Sequence, residues 1–301
     1  MTAANGRAQS IIAKLTNLHR ETGKPHQYLI DRFAQERFLY RLSTGKHRER
    51  FVLKGGLLIT ALTERFYRAT RDIDVRALTE NDPEAVKALV IEAISHEVED
   101  DSMTFEPQIM TIEQIQAQGE ERGLRLRMPA RLGQSARANL QMDMGFGDSI
   151  LLPHEEFEYP VLLEEYAAPI LRAYSIESVI AEKLEAIASL DEQTSRYKDY
   201  DDVVTLSRRR RIHVAPLWLA IRLTFERRQT SLDRLMPALG ADRSAKRERH
   251  YQAYHERERV QGGAATFSEC LERLRYFVEP LLRYDADGIV RVWEDDKWNA
   301  G

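Results

Sequence analysis

The stretch that decides the fold is Arg68-Ala69-Thr70-Arg71-Asp72-Ile73-Asp74-Val75, which follows Lys54-Gly55-Gly56 by a dozen residues. Side chains alternate between the two faces of a β-strand, so an extended Asp-Ile-Asp places both carboxylates on one face. Two parallel carboxylates repel each other unless a positive charge lies between them. Mg²⁺ meets this need, because it binds one or two carboxylates together with substrate phosphates. For an Asp-x-Asp motif considered alone, the simpler interpretation is that both carboxylates are exposed to solvent at the end of a strand and bind no metal.

Asp143 offers a third carboxylate. It lies in a predicted strand over 137–146 whose apolar positions alternate with polar ones; the apolar residues are Leu140, Met142, Met144 and Phe146. On this strand alone, an acid facing solvent is the simpler interpretation. Together with Asp72 and Asp74, however, Asp143 would form a cage for two Mg²⁺ ions in phosphoryl or nucleotidyl transfer. Asp148, in the loop that follows, is a weaker candidate.

Lys54-Gly55-Gly56 separates a short predicted strand, 51–53, from a predicted helix, 57–66. Glycines at such a junction allow backbone N–H groups to approach a phosphate, and a helix N-terminus favours negative charge. The same pair is equally typical of a tight turn. The Gly-x₄-Gly-Lys-Ser/Thr spacing of a Walker A loop is absent.

A lysine interrupts the apolar stripe of the helix predicted over 175–190. The stripe consists of Val179, Ile180, Leu184, Ile187 and Leu190, and Lys183 falls inside it. A lysine facing a core is rare unless it is paired or extends its amine to solvent. Two interpretations remain open: a salt bridge to a carboxylate of the next helix, or a cation directed at a triphosphate. In that next helix, Asp199 and Asp202 are three residues apart and share a face.

The rest of the pattern predicts an α+β protein. Two helices over 6–43 are broken at Gly23-Lys24-Pro25, and a helix over 82–98 begins with Asp82 as its N-cap. Extended segments are predicted over 104–112, 123–132 and 137–146, the last two joined as a hairpin, with a further strand at 159–163. Beyond residue 175 the pattern is helical, over 175–190, 191–210, 215–228, 245–259 and 266–283. The predicted domains are therefore N-terminal helices (1–48), an α+β core (49–170) and a helical C-terminal domain (171–301).

Composition narrows the class of protein further. With 301 residues and 43% hydrophobic residues, the chain can build a substantial core. The net charge is −4, but residues 205–259 carry 14 Lys and Arg against 6 Asp and Glu, a local +8 that leaves −12 elsewhere. An acidic site beside a basic surface suits metal-dependent chemistry on a polyanion, and equally suits two ordinary domains. A single cysteine, Cys270, and the lack of an apolar signal or membrane segment predict a soluble, cytoplasmic protein.

Four motifs together resemble the AbiEii/AbiGii toxin family of nucleotidyltransferases, which includes the MenT-type toxins. The motifs occur in order over residues 54–203. The first comprises Lys54, Gly55, Gly56, Arg68, Thr70, Asp72 and Asp74, and the second is the acidic strand around Asp143. The third is Glu182, Lys183, Leu184 and Ala186, and the fourth is Arg196, Lys198, Asp199, Asp202 and Val203. The Gly-Ser pair that precedes the acids of many nucleotidyltransferases is absent.

The resemblance implies a nucleotidyltransferase-type mixed sheet and transfer of a nucleoside monophosphate from an NTP to an acceptor hydroxyl, with release of pyrophosphate. It implies that Asp72 and Asp74 hold Mg²⁺ or Mn²⁺, with Asp143 as third ligand, and that Lys183 and Asp199 are needed for activity. Nucleotide contacts would come from the first motif and Lys183: Lys54, Gly55, Gly56, Arg68 and Thr70. The expected acceptor is the tRNA 3′ end, with protein as the alternative. The resemblance further implies the toxin of a toxin–antitoxin or phage-defence system, whose expected partner is a cognate antitoxin, with or without direct contact.

Basic helices would then hold the RNA backbone, through Arg208–Arg211, Arg222, Arg227, Arg228 and Arg243–Arg259. The alternative is a non-catalytic RNA- or partner-binding protein on a transferase scaffold. A haloacid-dehalogenase-like phosphatase is disfavoured, since Arg76 stands where that motif needs Thr or Val. Zinc hydrolysis is disfavoured as well, because the sequence after His154-Glu155 lacks the second histidine of His-Glu-x-x-His.

Overall fold

The computed structural model describes residues 3–63, 70, 72–116, 122–146, 154–190, 196–240, 244–258, 260, 263–284, 288–289 and 291–300. The chain divides into two compact units. The first comprises Met1–Ala61, Ala69–Ser149 and His154–Ala173, and the second comprises Leu62–Arg68, Ile150–Pro153 and Tyr174–Gly301. The N-terminal helices and the sheet therefore belong to one unit. The division into three domains at residues 48 and 170 stays a prediction.

A mixed β-sheet dominates the first unit and confirms the predicted α+β class. Within the described residues its strands are β1 (Phe51–Lys54), β2 (Asp72–Ala77), β3 (Met103–Phe105), β4 (Thr111–Gln116), β5 (Arg122–Leu132), β6 (Ala136–Gly145), β7 (Glu155–Glu158) and β8 (Ile170–Ala173). The strand order is β3-β5-β6-β2-β1-β8-β7, and β4 pairs with the other half of the same edge of β5. The β2–β6 and β1–β8 pairs are parallel, and the remaining pairs are antiparallel.

The helices of the first unit agree with their sequence signals. They are α1 (Ala3–Thr22), α2 (His26–Thr44), α3 (Gly55–Leu62) and α4 (Pro83–Ile94). The break between α1 and α2 falls at Gly23, whose φ is +69°, and the carboxylate of Asp82 caps α4 by accepting from the N–H of Ala85 at 3.1 Å. Helix α3 begins two residues earlier than predicted, directly at Gly55. No helix in the described part of the chain has the length and apolarity to cross a membrane.

Proline accounts for two strand predictions that were wrong. The segment predicted as extended over 104–112 is interrupted by a 3₁₀ turn at Pro107–Ile109, which separates β3 from β4. The strand predicted over 159–163 does not form; β7 lies just before it and ends at Glu158. Pro160 follows and has no N–H to donate, so pairing with β8 stops at the bond from the Tyr159 N–H to the Pro169 carbonyl.

One face of the sheet is apolar, and the other carries the candidate site. Helix α2 packs against β5, β6 and β8, and β2, β5 and β6 bury Ile73, Leu126 and Met142 completely. Because side chains alternate along each strand, the residues between these apolar positions project from the opposite face. Asp72, Asp74 and Asp143 occupy such positions and are half-buried. The predicted placement of both β2 carboxylates on one face is thus confirmed.

The second unit is mainly helical. Its helices are α5 (Ile176–Leu190), α6 (Tyr197–Arg209), α7 (Val214–Arg227), α8 (Leu235–Ala238), α9 (Ser244–Glu258) and α10 (Phe267–Leu282). A small antiparallel sheet of β9 (Ile212–His213), β10 (Arg291–Glu294) and β11 (Lys297–Ala300) was not predicted. Its hairpin turns at Asp295 and Asp296, both at positive φ, as a two-residue type I′ turn requires. Trp293 and Trp298 pair across it, and Trp298 stacks on Phe277 of α10.

A buried ion pair ties α2 to the segment before β3. The guanidinium of Arg41 donates to both oxygens of Asp101, at 2.6 and 3.0 Å. Asp101 is only 2% exposed and also accepts from the Met103 N–H at 3.0 Å. The adjacent Asp100 is exposed and lies 3.7 Å from Arg7. Two neighbouring aspartates thus differ in burial while each faces an arginine.

We expect Asp101→Asn to lower the free energy of unfolding by about 3–5 kcal/mol, because it leaves the buried Arg41 charge uncompensated. Asp100→Asn, the matched control, should change it by no more than about 0.5 kcal/mol. Urea unfolding followed by circular dichroism measures both. Equal effects of the two substitutions would contradict the importance of the buried pair.

Candidate active site

Charged side chains form a row across five adjacent strands of the first unit. In register order the residues of this charge row are Glu113 (β4), Arg125 (β5), Asp143 (β6), Asp74 (β2) and Lys54 (β1). Neighbouring strands lie about 4.8 Å apart, so each residue faces the next directly. The signs alternate except at the centre, where Asp143 and Asp74 stand opposite each other on parallel strands. Like charges in this arrangement destabilise a sheet unless a cation compensates them.

The glycine pair holds Asp74. Gly55 has φ +66°, and a Cβ atom added to it would lie 2.1 Å from Oδ2 of Asp74. The N–H of Gly56, at the start of α3, donates to the same oxygen at 3.3 Å. A positive φ and this close approach both require glycine at position 55. The structure therefore shows these glycines in contact with a carboxylate, and their predicted contact with phosphate stays a prediction.

Two cationic side chains, Lys54 and Arg76, lie near Gly145 at the end of β6. Their positions follow from the distances to a Cβ atom added to Gly145, which would lie 3.8 Å from Nζ of Lys54 and 3.9 Å from Nη1 of Arg76. Lys54 was predicted as a site residue, whereas Arg76 was considered only as evidence against a phosphatase. Arg76 is 3% exposed and shares the face of β2 that carries Asp72 and Asp74. The alternation Asp72, Asp74, Arg76 was the sequence signal that could have identified it.

Asp143 is held by an arginine that the sequence interpretation did not assign to the site. Nε of Arg125 donates to Oδ1 of Asp143 at 2.7 Å, and Nη2 donates to Oδ2 at 2.6 Å. Hydrogen bonding to Asp143 raises the pKa of Arg125 further, and the charges of Asp72 and Glu113 act in the same direction. Arg125 alternates with Leu124 and Leu126 in β5, a pattern that placed it on the polar face without indicating its partner.

The donor set of this face fits a hard divalent cation in part. Asp72 and Asp74 supply two carboxylates on one strand face, which is what Mg²⁺ takes from a protein when substrate phosphates complete its ligands. Among the described residues no group of three or more His, Cys, Asp or Glu side chains is placed to hold a metal. Asp143 has both oxygens in bonds to Arg125, so its predicted role as third ligand stays a prediction.

Three more residues of this region were candidates for the site. Thr70, predicted to contact nucleotide, is among the described residues and is 8% exposed. Arg68, predicted to bind nucleotide, and Asp148, the weaker acidic candidate, lie outside the described residues.

In the second unit, Lys183 of α5 is paired with two acids of α6. Its Nζ lies 2.8 Å from Oδ1 of Asp199 and 2.7 Å from Oδ2 of Asp202. The predicted salt bridge from Lys183 to a carboxylate of the next helix is confirmed, and both acids that share that helix face, Asp199 and Asp202, take part in it. Arg196 adds a further cation, with Nε 2.7 Å from Oδ2 of Asp199. Of the two interpretations of Lys183, the salt bridge is present; a contact with triphosphate stays a prediction.

The charges around Asp199 keep it ionised. Burial alone would raise its pKa, but the positive charges of Lys183 and Arg196 outweigh burial and lower the pKa. The pKa of Asp201, on another face of α6, is shifted in the opposite direction. Burial raises the pKa of Asp201 although its carboxylate bonds to the Tyr251 hydroxyl and to Nε2 of His255, both at 2.6 Å.

Several described arginines of the predicted RNA surface make contacts inside the second unit. Arg209 and Arg210 donate to the carbonyls of Thr63 and Leu62. Arg228 pairs with Glu185, and Arg247 is buried against the rings of Tyr197, Tyr200 and Phe267. Part of the local excess of positive charge is therefore used in contacts within the protein. The exposed arginines of this surface include Arg211, Arg222 and Arg249.

A family model and a solved structure both relate the chain to nucleotidyltransferase toxins. The family model of the nucleotidyl transferase AbiEii toxin of type IV toxin–antitoxin systems matches residues 37–286. Among solved structures, the fold is similar to that of MenT4, a nucleotidyltransferase toxin from Mycobacterium tuberculosis H37Rv, with a TM-score of 0.54 and 17% identity. The similarity covers 89% of this chain and 97% of that chain, and at this identity it concerns the fold alone. No curated protein matches the chain.

Asp199 and Asp201 should affect the pH dependence of stability in opposite directions. The lowered pKa of Asp199 contributes stability above its unfolded pKa, and this contribution is lost as the pH falls through the folded value. The raised pKa of Asp201 means that the folded state binds the proton more tightly, so acidification adds stability there.

We therefore expect Asp199→Asn to lose less stability than wild type between about pH 6 and 3, and Asp201→Asn to lose more. Denaturant unfolding at a series of pH values measures these slopes. Parallel pH curves for wild type and both variants would show that neither carboxylate is perturbed as described.

Proposed function

Because the chain belongs to the AbiEii family of nucleotidyltransferase toxins of type IV toxin–antitoxin systems, we propose that it transfers a nucleoside monophosphate from an NTP to an acceptor hydroxyl. The acceptor oxygen attacks the α-phosphorus and loses its proton to water, the bond between the α-phosphorus and the oxygen that bridges to the β-phosphate breaks, and pyrophosphate leaves. The observation that supports this reaction is the centre of the charge row, where Asp74 and Asp143 meet beside Asp72. Carboxylates in this arrangement are what a cation-dependent phosphoryl transfer needs.

Asp72 and Asp74 would hold Mg²⁺ or Mn²⁺, with Asp143 as a further ligand. A bound cation of this kind supplies Lewis-acid stabilisation of phosphate charge and a more acidic acceptor hydroxyl. The protein's own part is to position the acids, and the contact of Asp74 with Gly55 and Gly56 does so. Lys54, whose Nζ lies near the end of β6 beside Arg76, provides positive charge that would compensate the negative charge of a triphosphate.

Lys183 and Asp199 would act in nucleotide binding and orientation. Two roles for Asp199 are conceivable, orienting Lys183 or accepting the proton of the acceptor hydroxyl. The lowered pKa of Asp199 favours the first, because an effective general base has a pKa near the working pH. We therefore assign Asp199, together with Asp202, the role of holding the Lys183 ammonium group. Arg68, Gly55, Gly56 and Thr70 would complete the nucleotide contacts.

The acceptor we propose is the 3′ end of tRNA in the cytoplasm, with a cognate antitoxin as the partner that restrains the activity. Exposed arginines such as Arg211, Arg222 and Arg249 would meet the RNA backbone, and such contacts weaken steeply with salt. Incubating the purified protein with Mg²⁺, total RNA and each α-labelled NTP in turn identifies both nucleotide and acceptor. A protein that binds RNA but labels nothing with any NTP would favour the non-catalytic alternative.

Asp74→Asn should lower nucleotide transfer by at least about 100-fold, because bound metal contributes several kcal/mol to phosphoryl transfer. Asp72→Asn should behave similarly, and EDTA should abolish wild-type transfer until Mg²⁺ is restored. Asp82→Asn is the matched control, since asparagine serves equally well as the N-cap of α4. Initial rates of label incorporation measure all four. Transfer by Asp74→Asn at the wild-type rate would refute the metal assignment.

A further inference from the structure

Among the described residues, Arg125 donates hydrogen bonds to one side chain, that of Asp143. Both of its hydrogen bonds to described residues go to Asp143, one to each carboxylate oxygen. The two side chains are 28% and 19% exposed, so the bond is partly shielded from water yet open to exchange. Parallel guanidinium–carboxylate bonds are among the strongest that side chains form. Asp143 is therefore held facing β5, away from its register partner Asp74 on the other side.

The neighbouring arginine shows that this pairing is selective. Arg127 projects from the same face of β5, two residues along the strand. It donates to Gln141 at 3.1 Å and to Glu113 at 2.5 Å, although Glu113 stands opposite Arg125 in register. Glu113 thus accepts from Arg127, whereas Arg125 donates to Asp143. The two arginines have different hydrogen-bond acceptors.

A divalent cation and Arg125 need the same oxygens. Mg²⁺ coordinates oxygen at about 2.0–2.1 Å, and a guanidinium bonded to that carboxylate repels a second positive charge beside it. A cation that takes Asp143 as a ligand must therefore replace at least one bond from Arg125. The displaced guanidinium then needs a new anionic partner, and phosphate accepts its two parallel N–H groups as carboxylate does.

We propose that Arg125 competes with the divalent cation for Asp143 and thereby makes cation binding depend on the nucleotide. This inference rests on the proposed function, because it takes Asp72, Asp74 and Asp143 as the cation site. Without nucleotide, Arg125 keeps Asp143 and weakens cation binding. With nucleotide, the phosphates accept Arg125 and Asp143 becomes available. Thermodynamic linkage requires the converse as well: the cation strengthens nucleotide binding by the same factor.

The test is a Mn²⁺ titration of the full chain, with free Mn²⁺ measured by electron paramagnetic resonance, without nucleotide and with a non-hydrolysable NTP analogue. Arg125→Met should bind Mn²⁺ about tenfold more tightly than wild type without nucleotide, as expected for the loss of one charge-assisted competitor. The analogue should strengthen Mn²⁺ binding less in Arg125→Met than in wild type. Arg127→Met is the matched control: it removes the same charge from the same strand face but not the bond to Asp143.

An unchanged Mn²⁺ affinity in folded Arg125→Met, or an equal gain in Arg127→Met, would overturn the proposal. Circular dichroism reports folding, and if Arg125→Met is unfolded, Arg125→Lys replaces it. Lysine keeps the charge but not the two parallel bonds, so a smaller tightening supports competition and none overturns it.

Asp74→Asn separates this proposal from the proposed function. Mn²⁺ binding to wild type that Asp74→Asn removes, with no change in Arg125→Met, overturns the role of Arg125 alone. If neither wild type nor Arg125→Met binds Mn²⁺ even with the analogue, the cation site itself is refuted, and the role of Arg125 with it.

Discussion

The repulsion between Asp74 and Asp143 is the constraint around which the candidate site is built. These carboxylates stand opposite each other on adjacent parallel strands. Arg125 bonds to Asp143 from β5, and Nζ of Lys54 extends from β1 to the end of β6, 3.8 Å from a Cβ atom added to Gly145. Gly56 donates a further hydrogen bond to Asp74. Two carboxylates opposite each other favour positive charge beside them, and cation-dependent phosphoryl transfer uses acids arranged in this way.

In the second unit, the repulsion between two neighbouring acids is compensated by a buried lysine. Asp199 and Asp202 are also neighbouring acids, but the ammonium group of Lys183 lies within 2.8 Å of both. Both acids are completely buried, and removing one member of such a group is costly. Arg125 and Asp143, by contrast, are 28% and 19% exposed, so water can reach their ion pair and its partners can be exchanged. Burial thus separates a fixed cation, Lys183, from an exchangeable one, Arg125.

Local patterns in the sequence predicted the helices, the long strands and the face that carries Asp72 and Asp74, because periodicity and capping are properties of neighbouring residues. The partners of these residues depend on strand register, which no single segment contains. The pairing of Asp143 with Arg125 was missed for this reason. The hairpin of β10 and β11 was missed because its strands have four residues each and its Asp-Asp turn lacks glycine. The bond between Lys183 and Asp199 was predictable, since consecutive helices were expected to pack together.

The charge row also limits how the sheet can change during evolution. Its five members face one another only because every strand contributes a residue of the same parity, and a one-residue insertion within β2 or β6 would exchange the two faces of the strand downstream of it. Ile73 or Met142 would then enter the polar face while an acid entered the core beneath α2. Length variation among relatives should therefore concentrate in the connections between strands, and β2 and β6 should keep a constant length.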